Sequence, residues 1–342
     1  MKQKLLIILL LVCSIMNGCH TPENHIRHQE RLFTGNAIYH WKGIFDLSQA
    51  DSLFLRQHQV ERIYLRFFDV VEDLAYGAVP NSTVVFKSAI PDSVEIVPTV
   101  FITLEALYAM EGNEIKLAEN IAKRVIAMTK GNKIDHVREV QVDCDWTENS
   151  ESSYFRLCEQ LRKKLLQHNI ELSSTIRLHQ LSTQAPPVRS GVLMLYNTGS
   201  IRDIKTENSI LSYDVVKQYL KDDSYDLPLD FAYPAFSWGV VFSNGHYDRL
   251  LHDTDFLLHQ EEESAIIKKG ENRYKVKRDI NSLKLYSSDE IRYEHGDPKE
   301  IKKVKSLIKK LYGDEAHSNI IYHLDEKELS RYTNQQIQQI YE

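Results

Sequence analysis

The chain has 342 residues, 42% of them apolar, and a formal charge of −6. That is enough apolar sequence to bury a full core in one large domain. The acidic balance excludes the usual nucleic-acid binder, which needs basic stripes to neutralise phosphates. No internal repeat or low-complexity tract divides the chain.

Residues 1–18 place Lys2 and Lys4 ahead of an apolar run from Leu5 to Val12, with the small residue Gly18 just before Cys19. This is the layout of a secretory signal, too short for a permanent membrane span. Ile15 to Cys19 resembles a bacterial lipobox, with Met16 where leucine is usual. The resemblance implies lipidation at Cys19 and a mature protein held on an envelope membrane, the outer one favoured, without crossing it. Residues 19–34 then read as a polar tether. His20, His25, His28 and His40 have no carboxylate or cysteine at a metal-like spacing, so a linker is favoured over a metal site. Residues 35–342 form the single expected domain.

Along that domain, Ala37 to Trp41 reads as a first strand, and Ser48 to Asp51 as a capping-box start for a helix ending near His58. Arg62 to Asp69 is the second strand. Val71 to Ser88, holding Gly77 and Pro80, reads as an irregular excursion. Glu95 to Ile102 is the third strand. A helix over Asn113 to Thr129 follows, with Ile115, Ala118, Ala122, Val125 and Met128 at helical spacing. After the fourth strand, Glu139 to Glu148, the helix Ser152 to Gln167 carries Tyr154, Leu157, Cys158, Leu161 and Leu165 on one face. Leu172 to His179, Gly191 to Asn197 and Leu229 to Phe236 are strands five to seven, with a helix over Ile210 to Leu220 before the last of them. About residues 248–312 the order changes, to a helix near Tyr247 to His259, charged strands around Arg273 to Lys277 and Leu283 to Tyr293, and a helix from Pro298 to Tyr312 closed by Gly313. Asn319 to His323 is the eighth strand, and a helix around Glu326 to Tyr341 is the last. Strand–helix alternation of this kind predicts an α/β fold, a (β/α)8 TIM barrel with an inserted hairpin and helix region before the last strand.

The stretch EVQVDCDWTE, residues 139–148, organises the functional reading. Alternation along a strand puts Gln141, Asp143 and Asp145 on one face and Val140, Val142, Cys144 and Trp146 on the other. The two aspartates lie roughly 6.6 Å apart along the backbone, close enough to push their pKa values apart and hold an acid beside a base. At a barrel's C-terminal strand ends they would stand where such folds do chemistry; the competing reading is a structural ion-pair network. Trp41, Arg66, Trp146, Arg177, His179, Tyr196, Asn197, Tyr233, Trp238 and Asp325 fall at or just beyond the same ends. Aromatic rings beside arginines and carboxylates suit a carbohydrate ligand, whose C–H faces stack and whose hydroxyls bond to paired groups; core burial of the same rings is the plainer alternative. Arg66 and Arg177 are in phase with the inward positions. Cys144 and Cys158 could pair, and burial as two small apolar groups is the favoured state. No cofactor is expected. A metal-dependent hydrolase would need His179 or His323 to join the aspartates.

VDCDWTE resembles the fourth-strand signature of chitinase-like glycoside hydrolases, a D-x-D-x-E run ending in the acid. Asp143, Asp145 and Trp146 match it; Thr147 stands where the glutamate belongs, and Glu148 is one residue on. Over more of its length the chain resembles Bacteroidetes-type lipoproteins with a glycosidase-type barrel and a Q-x-D-x-D strand end, here Gln141, Asp143 and Asp145. The resemblance implies a surface-anchored barrel. The expected function is action on a glycan through the Asp143–Asp145 pair; the alternative is a glycan-binding or scaffold protein that lacks the proton donor, as Thr147 suggests.

Overall fold

The computed structural model describes residues 31–258, 265–313 and 316–342. Eight parallel strands form a closed ring: β1 (Asn36–His40), β2 (Val60–Asp73), β3 (Glu95–Ile102), β4 (Glu139–Asp143), β5 (Glu171–Ile176), β6 (Ser190–Met194), β7 (Leu229–Pro234) and β8 (Asn319–Tyr322). Closure is explicit in the register, because Ile38 of β1 sits opposite both Ile63 of β2 and Ile321 of β8. This is the (β/α)8 barrel expected from the alternation.

Local chemistry explains most of the surrounding elements. Ser48 and Asp51 form both halves of the capping box that starts the helix Gln49–Gln57. Tyr154, Leu157, Cys158, Leu161 and Leu165 are all buried along the helix Glu151–Leu166. Cys144 and Cys158 are both free and buried. Burial pushes both thiols up, Cys158 to about 12, so neither forms a thiolate easily. The helix Pro298–Tyr312 starts on Asp297 with proline in its first turn and ends at Gly313, whose φ of 62° suits a residue without Cβ.

Three elements differ from the sequence reading. The second strand is longer than expected and runs past the ring, pairing antiparallel with Gly77–Asn81, so a hairpin replaces the outer helix that would normally follow it. Pro80 is tolerated because that strand lies on the sheet edge. The expected helix near Tyr247 to His259 is instead a strand, His246–Leu251, followed by the short helix Asp255–Leu258. The cause is the turn at Asn244–Gly245, both at positive φ, which folds Ser237–Ser243 back onto His246–Leu251 as a two-residue hairpin. With Glu290–His295, Arg273–Val276 and Ile266–Lys268 these strands build a five-stranded antiparallel sheet between β7 and β8. The buried stripe of the helix Glu114–Gly131 is also rotated from the expected one: it uses Leu117, Ala118, Ile121, Ala122 and Val125 and leaves Ile115 exposed.

Candidate active site at the barrel mouth

Alternate residues of the strands point into the ring and stack in layers from the N-terminal floor to the C-terminal mouth. On β4 the column is Glu139, Gln141, Asp143; on β5 and beyond it is Ser173, Thr175, Arg177. Hydrogen bonds across the interior fix these layers: Ser173 Oγ donates to Glu139 at 2.6 Å, Tyr39 Oη to Gln141 Oε1 at 2.7 Å, and Thr175 Oγ1 to Asp143 Oδ1 at 2.6 Å. Glu139, Gln141 and Asp143 therefore face the interior because strand geometry puts them there, and each finds a partner on another strand.

The top layer is a triad of charges. Arg177 Nη2 donates to Asp143 Oδ1 at 3.0 Å while its Nε donates to Asp145 Oδ1, so one guanidinium joins both aspartates. Their surroundings differ. Asp143 is buried, whereas the Asp145 side chain is 56% exposed in the loop just past the strand. Burial pushes the Asp143 carboxyl above the ordinary aspartate range, against the opposing pull of Arg177 and Thr175. The result is one carboxyl that holds its proton longer than usual beside a second that meets solvent. Arg177 Nη1 and Gln141 Nε2 are both buried without a hydrogen-bond partner among the described residues.

Aromatic rings border this layer. Trp41 lies 6.0 Å from Tyr322, Tyr322 lies 4.8 Å from Tyr196, Tyr196 lies 5.9 Å from Phe236, and Phe236 lies 5.2 Å from Trp238. This continuous belt links the end of β1 to the inserted sheet, and its two end rings are partly exposed. Trp238 is held from behind, its Nε1 donating to buried Glu294 at 2.6 Å. Glu294 also accepts from Arg292, whose Nη1 donates to the carbonyl of Asp203. The inserted sheet is thereby clamped to the loop after β6 and supplies one wall of the mouth.

Several residues expected at the mouth lie elsewhere. Trp146 is fully buried on the outer face of β4, stacked 5.9 Å from Tyr154, because it continues the apolar face of Val142 and Cys144. Tyr233 is fully buried and also faces outward, 5.2 Å beneath Lys305 of the helix Pro298–Tyr312. Asp325 caps the short helix Glu326–Leu329 and pairs with Lys42 at 2.9 Å. Burial alone would raise its carboxyl, but Lys42 and the helix-start amide outweigh this and hold it low. Arg66 is engaged by Asp69 and lies 5.5 Å from the Trp41 ring, on the same rim but not on the aspartate pair. His179 is exposed beside Glu148 and Asn149 in an open cleft of about 400 Å³. Asn197 is exposed at positive φ just past Tyr196. Thr147 is exposed, its amide donating to Ser150 Oγ at the start of the next helix. Cys19 lies outside the described residues, as do His20, His25 and His28. His323 lies near His40 and Lys42, and among the described residues no three His, Cys, Asp or Glu side chains gather into a metal-binding cluster.

Tyr39, Thr175 and Tyr322 belong to the site and were not singled out in the sequence. Tyr39 and Thr175 each sit two residues before a residue that was, Trp41 and Arg177, so the period of two could have found them.

No protein-family model matches the chain, and no curated protein matches its sequence. Solved structures do resemble it. A chitinase from Chromobacterium violaceum superposes with a TM-score of 0.54 at 9% identity, covering 90% of this chain and 99% of the other. The spore cortex-lytic enzyme SleL from Bacillus cereus gives 0.54 at 10% identity, covering 90% and 75%. A chitinase-like agglutinin from Robinia pseudoacacia gives 0.50 at 9%, covering 90% and 98%. At these identities the likeness establishes the architecture, a TIM barrel, and leaves activity to the site itself.

Proposed function

We propose that this chain is a lipid-anchored envelope protein, of the Bacteroidetes lipoprotein type, whose barrel mouth holds a glycan and acts on it through Asp143 and Asp145. The observation that carries the reading is the asymmetry of the pair: a buried carboxyl with a raised proton affinity and an exposed one, joined by Arg177 at the C-terminal ends of the strands. In this reading Asp143 holds the proton, Asp145 meets the sugar as base or stabiliser, and Arg177 orients both. Trp41 and Trp238 offer ring faces to pyranose C–H groups at opposite ends of the aromatic belt. The enzymes among the structural neighbours support a glycan as the ligand class. Anchoring through Cys19 rests on the leader sequence alone.

A second reading, a glycan-binding protein without turnover, is favoured by one observation. The position of the family's proton donor is Thr147, an exposed side chain that carries no carboxyl. A neighbour that is itself an agglutinin supports this alternative.

Turnover and retention on a glycan panel that includes chitin oligosaccharides separate the two. For an enzyme, Asp143→Asn and Asp145→Asn each lower turnover by more than about 100-fold, the low end for acid–base catalysis, with affinity little changed. For a binder, nothing is cleaved, and Trp41→Ala or Trp238→Ala weakens retention. A wild-type protein that neither binds nor cleaves any sugar defeats both. Release of a Cys19→Ala variant from washed membranes tests the anchor separately; retention of that variant would overturn it.

A further inference from the structure

The helices Pro298–Tyr312 and Asn334–Tyr341 flank an open groove of about 610 Å³ on the outside of the barrel, away from the mouth. Three lysines of the first helix, Lys302, Lys305 and Lys309, line it at helical spacing. Among the described residues none of the three is in an ion pair. Lys303, one position from Lys302, is by contrast paired with Glu300 at 2.6 Å. The protein as a whole is acidic, so three lysines that form no ion pair among the described residues concentrate positive charge along this one groove.

The groove also has a polar floor. Tyr233 lines it, fully buried, and its hydroxyl has no hydrogen-bond partner among the described residues. Asn319 lines it too; its Nδ2 donates to the carbonyl of Tyr341 at 3.0 Å while its Oδ1 is buried and unpartnered. Buried polar atoms are normally satisfied, and a hydroxyl left over beneath a row of ammonium groups marks a place for an acceptor. Lys305 is half-buried, with one bond to the carbonyl of Ile340 at 2.6 Å, so ammonium protons remain for a ligand. The one acidic side chain described along the groove is Glu342, at its edge.

We infer that this groove is a binding site for an oxyanion of the phosphate class, held by Lys302, Lys305 and Lys309 with the Tyr233 hydroxyl beneath. Tetrahedral oxyanions offer several acceptor oxygens to converging ammonium groups, and lysine binds them as a point charge without a fixed fork geometry. Burial lowers the Lys305 ammonium to about 8, with Glu342 pulling the other way, so a bound anion would restore its proton affinity. The inference is independent of the glycan reading, because the groove and the mouth share no residue.

Titration calorimetry of the full chain with inorganic phosphate, against chloride at matched ionic strength, tests it. Wild type should bind phosphate saturably. The double variant Lys302→Gln/Lys309→Gln, changed at exposed positions that do not threaten folding, should bind at least about tenfold more weakly, as expected for lost charge-assisted bonds. Tyr233→Phe should weaken binding by a smaller factor, and Lys303→Gln should leave it unchanged. Vesicles of phosphatidylglycerol against phosphatidylcholine identify the source: capture by the anionic vesicles that phosphate competes away assigns a lipid headgroup, and phosphate binding without capture assigns a soluble anion. Absence of saturable phosphate binding, or equal binding by the double variant, overturns the inference.

Discussion

At the floor of the barrel, Arg62 donates from all three of its nitrogens, to Glu95 and to Glu139. Glu139 also accepts from Ser173, Glu95 from Arg138, and the Phe33 ring lies 4.2 Å from the guanidinium carbon. At the mouth, Arg177 likewise joins two acidic side chains, yet among the described residues its Nη1 and the Nε2 of Gln141, one layer below, are left without partners. Both ends use an arginine between carboxylates in a barrel interior. A closed network fixes structure and has no bonds left to offer. An open one retains donors, and donors held in place before a ligand arrives need little reorganisation to bind it.

The largest effect expected from this contrast is on stability. Arg62→Met strands buried Glu139 and should destabilise the fold by about 3–5 kcal/mol, read from urea unfolding. Arg177→Met should destabilise less, because Asp145 is exposed and can hydrate and buried Asp143, its proton affinity already raised by burial, keeps the Thr175 bond and can take up a proton; on the proposed function it should also remove glycan binding. If the two variants lose equal stability, the distinction between a structural floor and a functional mouth fails.

A somewhat smaller effect concerns pH, and it has opposite signs at the two ends. Burial raises Asp230, at the floor beside Arg31, to about 6, so its folded form favours the proton. Its contribution to stability is fully present below about pH 4 and is lost as pH rises through about 6. Burial, with Lys42 and His323 nearby, lowers His40 at the mouth end to about 4, so the folded chain excludes that proton. Its contribution is present above about pH 6.5 and is lost as pH falls towards 4. Each spans roughly 3 kcal/mol, and in wild type they offset. Stability measured between pH 4 and 7 should therefore climb more steeply with pH in Asp230→Asn and less steeply in His40→Leu. Two curves parallel to wild type would show that neither group titrates as its burial implies.

The smallest effect separates the layers. Tyr39→Phe removes the bond to Gln141 Oε1 and leaves that amide less satisfied, a loss of about 1–3 kcal/mol. If Gln141 positions the aspartates above it, turnover or glycan affinity falls as well; a change in stability alone would assign the pair to the framework.

The barrel was legible because its signal repeats: each strand brings its own apolar run, and errors in one do not displace the next. Deviations came where local chemistry outvoted the pattern. Asn244–Gly245 is a two-residue turn that makes His246–Leu251 a strand although its apolar residues also suit a helix. Trp146 lies near enough to the strand end to be read as lining the mouth, but the same alternation that turns Asp143 inward turns Trp146 outward. Within the site, strand phase alone indicated Gln141, Asp143, Asp145 and Arg177. It could not show that Arg177 reaches both aspartates while Arg66 turns to Asp69, because that depends on where long side chains find room.

Because a single guanidinium serves two acids, Asp143 and Asp145 are thermodynamically coupled. Loss of either frees Arg177 to lean on the other, so the two asparagine substitutions should not sum in a double-mutant cycle. The mouth thus behaves as one coupled unit of three residues, and whatever the ligand does to one member is felt by the other two.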